Sequence, residues 1–512
     1  MLKKKVANQN IQIFILCFAT LLLMLFIAPP EHGGGFTQID FDTDTPTFAN
    51  YARNLLNLPL SITKGLAIHA ISSSGDFIFD KLNSYSWYVD HPATLVWVVA
   101  FFMKIFGETL FAARLVSIVS SVLIMFFLLQ IAKKYKYGII ICFFSLLGIP
   151  LFLEHGLVPG YQTITLFFLT ASLYFFSRYL DEKDNFFFYV SFLFWFFSLI
   201  CDWPAYFLSV CYSYYFFKKK KYKSALLIII ISVIVYFTLV GYDSYITSGN
   251  FYHPIGRIIS LISSDSVQPT IVSIKNIVKW FLRNYRFILL FFVAGLFIFY
   301  TKKNIVSDGV KFFINSFYLI GFLNIFIFLN WSGTHSFWSY YFLPSIAIIS
   351  TLICNSTFPK NNFFFKYLKV SFLVLVIVFS NFYNINKLLN YKNHQLDQHT
   401  SLAFIKFSKE KNNIFFSSSE KFYWWHGHAL KWYADKQLTA YNKAKYLKDI
   451  EQNPSRYFVV LRTAVFQQIP ENFKYIFTKS KDFDVYYVRL DSKQIDKNSL
   501  DNFLKKIFEI ED

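Results

Sequence analysis

Three aspartates fall within five residues at Asp40-Phe41-Asp42-Thr43-Asp44, immediately before Thr45-Pro46 and the run Phe48-Ala49-Asn50-Tyr51-Ala52-Arg53-Asn54-Leu55-Leu56. A proline in the first turn, with Asp44 or Thr45 as cap, starts a helix here. One acid is enough for a cap. The surplus carboxylates can take a proton from a substrate hydroxyl, which makes Asp44, with Asp42 in support, the candidate general base. Further acids stand beside helix ends at Asp90-His91-Pro92, Glu154-His155-Gly156 and Asp202-Trp203-Pro204. The cations available to join them are His91, Arg114, Arg257 and His335, with Arg283 or Arg286 as additional members. Each acid has a plainer reading as an isolated loop charge. Gathered in one cavity, carboxylates and a few cations suit a reaction that needs a base and an anion clamp, and phosphate is the obvious anion.

The elements that must position these residues follow from composition. A chain of 512 residues has room for several soluble domains, but 55% of it is apolar and only 16% charged. Soluble globular chains carry roughly 25% charged residues. Aromatics reach 21%, and the mean hydropathy of +0.39 agrees. These figures exclude a disordered, fibrous or disulfide-stapled chain and an ordinary cytosolic enzyme. They specify a polytopic α-helical membrane protein. Cys17, Cys142, Cys201, Cys211 and Cys354 lie in or beside apolar runs without paired spacing, so they read as packing residues.

About eleven apolar runs approach the length that crosses a bilayer, near 11–29, 113–132, 138–153, 161–179, 186–201, 204–217, 223–241, 278–300, 310–330, 340–354 and 366–383. Lys3, Lys4 and Lys5 place the N-terminus on the cytoplasmic side. Alternate crossings then put Lys133 to Lys136, Arg178 to Lys183, Lys218 to Lys221, Lys302-Lys303 and Lys360 to Lys369 on that same side. The opposite loops near 154–160, 201–203 and 331–339 carry no Lys or Arg. This placement accounts for much of the net charge of +19 without a nucleic-acid partner. Residues 1–29 have the basic start and apolar core of a signal peptide, yet the core is long and no clean cleavage site follows, so they read as an uncleaved first span. The run 91–106 is too short to cross and reads as a helix at the outer interface. Residues 30–112 thereby become one outer loop. From about residue 391 the composition turns polar and the apolar runs shorten to strand length at 414–416, 457–461 and 483–488, with polar helical stretches near 398–410 and 443–452. That alternation predicts a small extracytoplasmic α/β domain after a membrane domain spanning 1–390.

These residues resemble the GT-C membrane glycosyltransferases, specifically the branch of the protein O-mannosyltransferases and the lipid A aminoarabinose transferase. The resemblance covers about 1–390 in layout. It is strongest over 40–132. Asp44-Thr45 and Phe48-Ala49-x-x-Ala52-Arg53 follow the family's acid pair and helix, with Thr45 where relatives have Glu. Asp90-His91-Pro92-Ala93-Thr94-Leu95, Phe106-Gly107 and Ala113-Arg114-Leu115 follow its second signature, with Ala93 for a proline and His91 where the aminoarabinose transferases have Lys. Glu154 and Tyr161 match an acid and a tyrosine after the third span. His335-Ser336-Phe337-Trp338-Ser339-Tyr340-Tyr341-Phe342-Leu343-Pro344 resembles a later family segment.

The resemblance implies an inverting transferase. It would move a sugar from a polyprenyl-phosphate donor to a lipid A or other glycolipid, glycan or protein acceptor on the extracytoplasmic face. It implies Asp44 as base or acceptor-orienting acid with Asp42 in support. His91, Arg114 and His335 would hold the donor phosphate. Asp90, Glu154, Tyr161, Tyr340 and Tyr341 would line the acceptor or sugar pocket. A divalent metal stays open: the spacing of Asp42, Asp44, His91 and Glu154 matches no defined metal motif, and hydrogen-bonded acids are the simpler reading. Trp424-Trp425-His426-Gly427-His428 could bind sugar or lipid, or simply pack as an aromatic core. The other function classes are a transporter or flippase of a lipid-linked saccharide and an inactive membrane scaffold. Transporters place ionisable groups at mid-membrane, whereas these acids gather at one face. The partners expected are the lipid-linked donor, its acceptor and membrane lipids. The compact architecture and Phe/Lys/Asn-rich style point to a bacterial inner membrane.

Overall fold

The computed structural model describes residues 2–28, 44–68, 87–88, 91–135, 138–247, 270–286, 288–301, 306–329, 332, 336–352 and 380–386, with C-terminal strands at 414–417, 438–440, 457–462, 476–479 and 485–489. In chain order the helices are α1 (Leu2–Ile27), α2 (Asp44–Asn57), α3 (Leu60–Thr63), α4 (Thr94–Phe106) and α5 (Leu110–Ala132). Next come α6 (Gly138–Leu147), α7 (Pro150–Gly156), α8 (Tyr161–Glu182), α9 (Asn185–Leu199) and α10 (Ala205–Lys218). They continue as α11 (Tyr222–Thr247), α12 (Thr270–Tyr285), α13 (Ile288–Thr301), α14 (Asp308–Ile327), a 3-10 helix (Ser336–Phe342) and α15 (Leu343–Leu352).

The chain divides into two compact units: residues 1–28, 89–98 and 114–388, and residues 29–88, 99–113 and 389–512. The first is a helical bundle whose outer surfaces are apolar. Phe14, Phe18 and Phe26 of α1 and Leu226, Ile230, Ile234 and Phe237 of α11 are exposed, as suits helices solvated by lipid tails. Among the described residues five helices are long and apolar enough to span a membrane, or six if α6 and α7 count as one bent span. Polar side chains inside the bundle bond to one another. The Tyr212 hydroxyl lies 2.7 Å from Ser172 Oγ and 2.9 Å from Ser191 Oγ, and the Trp195 indole donates to Ser209 at 3.1 Å, joining α8, α9 and α10.

Two runs expected as single spans are broken, each for an identifiable reason. The run 138–153 becomes α6 and α7, bent by 69°. Pro150 opens α7 and has no N–H to continue the α6 ladder. The Gly148 carbonyl at the break accepts from Ser380 Oγ at 2.8 Å and Asn384 Nδ2 at 2.9 Å. The run 278–300 is divided at Arg286, whose φ is +39°. Lys275, Lys279 and Arg283 are exposed beside Ile274, Val278 and Leu282, so α12 is an amphipathic helix of its own and only α13 continues the apolar run. The stretch 366–379 lies outside the described residues.

The two ends of this bundle differ in chemistry. At one end the Gln9 side chain donates to the Lys133 carbonyl at 3.5 Å, and Lys134 pairs with Asp181 at 2.7 Å. Asp181 also accepts from Ser307 Oγ at 2.8 Å and the Gly309 N–H at 3.0 Å, tying the ends of α5 and α8 to the start of α14. The basic segments after α5 and α8 and the N-terminal helix therefore share an end. The opposite end holds the candidate site.

Helices α13 and α15 pack closely at Gly295. A Cβ added there would fall 2.4 Å from the Ile349 carbonyl oxygen, a backbone atom that cannot swing aside. Gly295→Ala is expected to destabilise the bundle by about 1–3 kcal/mol, read as a lower thermal midpoint in detergent. An unchanged midpoint would show that the two helices separate freely.

In the second unit α2 begins at Asp44 itself, a residue or two before the start that a cap at Asp44 or Thr45 predicts, with Pro46 in its first turn. Phe48, Ala49, Tyr51 and Ala52 are buried, and Asn54 donates to the Ile68 carbonyl at 3.0 Å in the short ribbon of β1 (Ala67–Ile68) and β2 (Trp87–Tyr88). Asn57 at the end of α2 bonds both Glu108 carboxylate oxygens at 3.2 Å, in the turn made by Gly107 with φ +91°. The C-terminal strands are β3 (Ile414–Ser417), β4 (Leu438–Ala440), β5 (Tyr457–Arg462), β6 (Ile476–Lys479) and β7 (Val485–Arg489). They form one sheet in the order β4-β3-β5-β7-β6. β3 is parallel to β4 and β5, while β7 is antiparallel to β5 and β6. The helical stretches expected near 398–410 and 443–452 lie outside the described residues.

Candidate active site

The site is built where the start of α4, the α9–α10 turn, the start of α8 and the 3-10 helix converge within the first unit. The α9–α10 connection is short, Ile200 to Pro204, because Pro204 cannot extend α9 and instead precedes α10. That turn fixes Asp202, whose side chain is only 4% exposed. Its Oδ1 accepts from the Trp203 N–H at 2.8 Å and lies 2.7 Å from His91 Nδ1. A carboxylate only accepts, so Nδ1 is the donor. Oδ2 accepts from the Tyr341 hydroxyl at 3.4 Å. The Thr94 hydroxyl donates to the Ile200 carbonyl and so pins the start of α4 to the same turn.

The His91 ring lies flat against Tyr161, with centroids 4.4 Å apart and planes within 18°. Beside this group His155 is buried, packs against Tyr340 at 5.1 Å and Phe337 at 6.1 Å, and its carbonyl accepts from Thr163 Oγ1 at 3.0 Å. The 3-10 helix that carries the tyrosines is anchored from α12: Asn284 donates to Ser339 Oγ at 3.0 Å and the Tyr285 hydroxyl to the Ser339 carbonyl at 2.6 Å.

The sequence-predicted residues distribute as follows. His91, Tyr161 and Tyr341 are brought together around Asp202. Tyr340 and Glu154 are buried nearby in the chain, on the 3-10 helix and on α7 respectively, and Arg114 is fully buried in α5. Asp44 is the first residue of α2, in the other compact unit. Asp42, Asp90 and His335 lie outside the described residues, as do residues 424–428. Among the described residues no three His, Cys, Asp or Glu side chains gather as a metal site. Asp202, read from the sequence as one of the acids of a common cavity but given no role, is the centre of the group with His91, Tyr161 and Tyr341, and His155 is the addition. An acid directly before Trp-Pro at a helix start was the available signal for Asp202; nothing local could pair it with a histidine 111 residues away.

The arrangement supplies a largely buried imidazole–carboxylate pair and a flanking tyrosine hydroxyl at one end of an apolar bundle, and Arg114 is buried near the start of α5. Such a set can bind an anion carried on a lipid. The model of the dolichyl-phosphate-mannose-protein mannosyltransferase family matches residues 90–242. The crystal structure of ArnT from Cupriavidus metallidurans bound to undecaprenyl phosphate is similar with a TM-score of 0.60 and 10% identity, over 96% of this chain and 99% of that one. The apo structure of the same protein is similar with a TM-score of 0.59 and 10% identity, over 94% and 98%. No curated protein sequence matches. The chain is therefore similar to GT-C membrane glycosyltransferases in sequence across residues 90–242 and in fold along nearly its whole length. At this identity the likeness to ArnT is one of fold.

Proposed function

We propose that the chain is an inverting glycosyltransferase that takes its sugar from a polyprenyl-phosphate donor and delivers it to a glycolipid, glycan or protein acceptor on the extracytoplasmic face of the membrane. The observation that carries this reading is the His91–Asp202 pair against Tyr161 and Tyr341, at the bundle end opposite the basic loops. The family match over 90–242 includes His91, Arg114, Glu154, Tyr161 and Asp202. In this reading His91 and Arg114 bind the donor phosphate, joined by His335. As the bond from the anomeric carbon to the phosphate oxygen breaks, the leaving group gains negative charge, and donors held in a water-poor site stabilise it more than water would. Asp44 takes the proton of the attacking hydroxyl, with Asp42 in support. Asp90, Glu154, Tyr161, Tyr340 and Tyr341 line the acceptor or sugar pocket. By the basic-loop rule the N-terminus is cytoplasmic, which gives the C-terminal domain, residues 391–512, to the other side.

The test is a transfer assay in membranes containing the protein, offered radiolabelled polyprenyl-phosphate sugars together with a native lipid extract. Label moving to an acceptor is the expected result. If no sugar transfers while lipid-linked sugar crosses the bilayer of liposomes, the chain is a transporter instead.

A further inference from the structure

We propose that Asp202 is a positioning residue of the donor site: by holding His91 Nδ1 it turns the imidazole so that Nε2 meets the lipid phosphate. This rests on the reading of His91 as a phosphate-binding residue and adds to it the group that makes a histidine suitable there. A histidine side chain rotates about two bonds and can present either nitrogen. Here both freedoms are removed. The Asp202 carboxylate takes Nδ1 at 2.7 Å, and the Tyr161 ring, 4.4 Å away, fixes the plane. With Nδ1 committed, a phosphate oxygen can approach the ring's polar edge only through Nε2. A ring protonated on Nδ1 alone presents a lone pair at Nε2, so the phosphate is met by the doubly protonated ring, whose Nε2–H is a charge-assisted donor. Among the described residues, those facing His91 include Asp202 of the α9–α10 turn and Tyr161 of α8, with Tyr341 of the 3-10 helix reaching the pair through Asp202.

A carboxylate this buried is costly to place near an incoming phosphate unless it acts through a cation. Asp202 is 4% exposed against 27% for His91, so the histidine is the accessible member of the pair. The plainer alternative is that Asp202 only closes its turn through Trp203 and holds Tyr341. The two roles separate in a double-mutant cycle. Lysine carries its charge on a flexible stem with no ring to orient, so His91→Lys removes the need for positioning while keeping a cation.

The experiment measures the dissociation constant of polyprenyl phosphate and, in the transfer assay, KM and kcat. The proteins are wild type, Asp202→Ala, His91→Lys and the double variant, with Asp202→Asn and elution as a monodisperse species as controls for folding. Asp202→Ala is expected to raise the dissociation constant and the donor KM by about 10–100-fold, the cost seen when a metal-binding histidine loses the hydrogen-bond partner that orients it. In the His91→Lys background it should add less than about threefold. Asp202→Asn keeps an acceptor for Nδ1 and should fall between wild type and Asp202→Ala. An equal cost in all backgrounds, or none in the wild type, overturns the proposal. If the wild type binds polyprenyl phosphate but transfers no sugar, the glycosyltransferase reading falls while the binding cycle still decides the role of Asp202. If it transfers sugar and Asp202→Ala behaves as wild type, the reading stands and the proposal falls. Failure of the wild type to bind the lipid phosphate overturns both.

Discussion

Asp44→Asn is expected to lower the rate of sugar transfer by about 10²–10⁴-fold, the span covered by a positioned general base. The change is informative because it separates the two roles an aspartate at this position can play. Asp44 is the first residue of α2, beside Pro46 in the first turn. Asparagine matches aspartate in size and shape, so α2 keeps its start and the ability to take a proton is what is lost. Dissociation of polyprenyl phosphate should be unchanged, since the phosphate-binding role falls to other residues. Single-turnover rates with bound donor measure the chemical step directly. Equal rates for wild type and Asp44→Asn would move the base to Asp42 or Glu154 and leave Asp44 a cap.

The legible parts of this fold are those governed by local rules. α2 follows from Pro46 and the acids before it. The spans at α5, α8, α11 and α14 follow from uninterrupted apolar runs, because a bilayer demands length and little else. β3, β5 and β7 were visible as β-rich runs, whereas β4 and β6 hold only Leu438–Ala440 and Ile476–Lys479, too short and too polar to separate from loop. Where the sequence misleads, an apolar run conceals a change in backbone direction. Arg286 divides α12 from α13 inside such a run, and the bend at Pro150 depends on side chains from 380–384 that accept the work of pairing the freed carbonyl. The site divides in the same way. His91, Tyr161 and Tyr341 were readable by residue type and by resemblance. Asp202 was visible as an acid beside a helix end, yet its pairing with His91 is set by the packing of α4 against the α9–α10 turn, which no window of sequence contains. His155 was read only as the neighbour of Glu154, though it is buried against Tyr340.

Replacing Arg114 by methionine gives the second large effect expected: a fall of about 10²–10³-fold in kcat/KM for the lipid-linked donor, comparable to the loss of a single group that stabilises developing negative charge. Arg114 has no exposed surface and stands near the start of a helix that crosses the bundle. Methionine is apolar and close to the arginine stem in shape, so it tests charge more than volume. A buried arginine that served only the fold could be replaced by a well-packed apolar side chain with little change in function, because burying ions gains little over burying hydrocarbon. One that serves a phosphate could not. Thermal unfolding in detergent, measured beside the dissociation constant of polyprenyl phosphate, distinguishes the cases. A variant that unfolds normally but binds the lipid phosphate weakly assigns the guanidinium to the donor. A variant of low thermal stability whose folded fraction binds normally assigns it to the bundle. Arg114→Lys completes the argument: it keeps the charge but loses the planar fork, so recovery by lysine would mean that the phosphate needs a cation there, and failure of lysine that it needs the bidentate geometry of arginine.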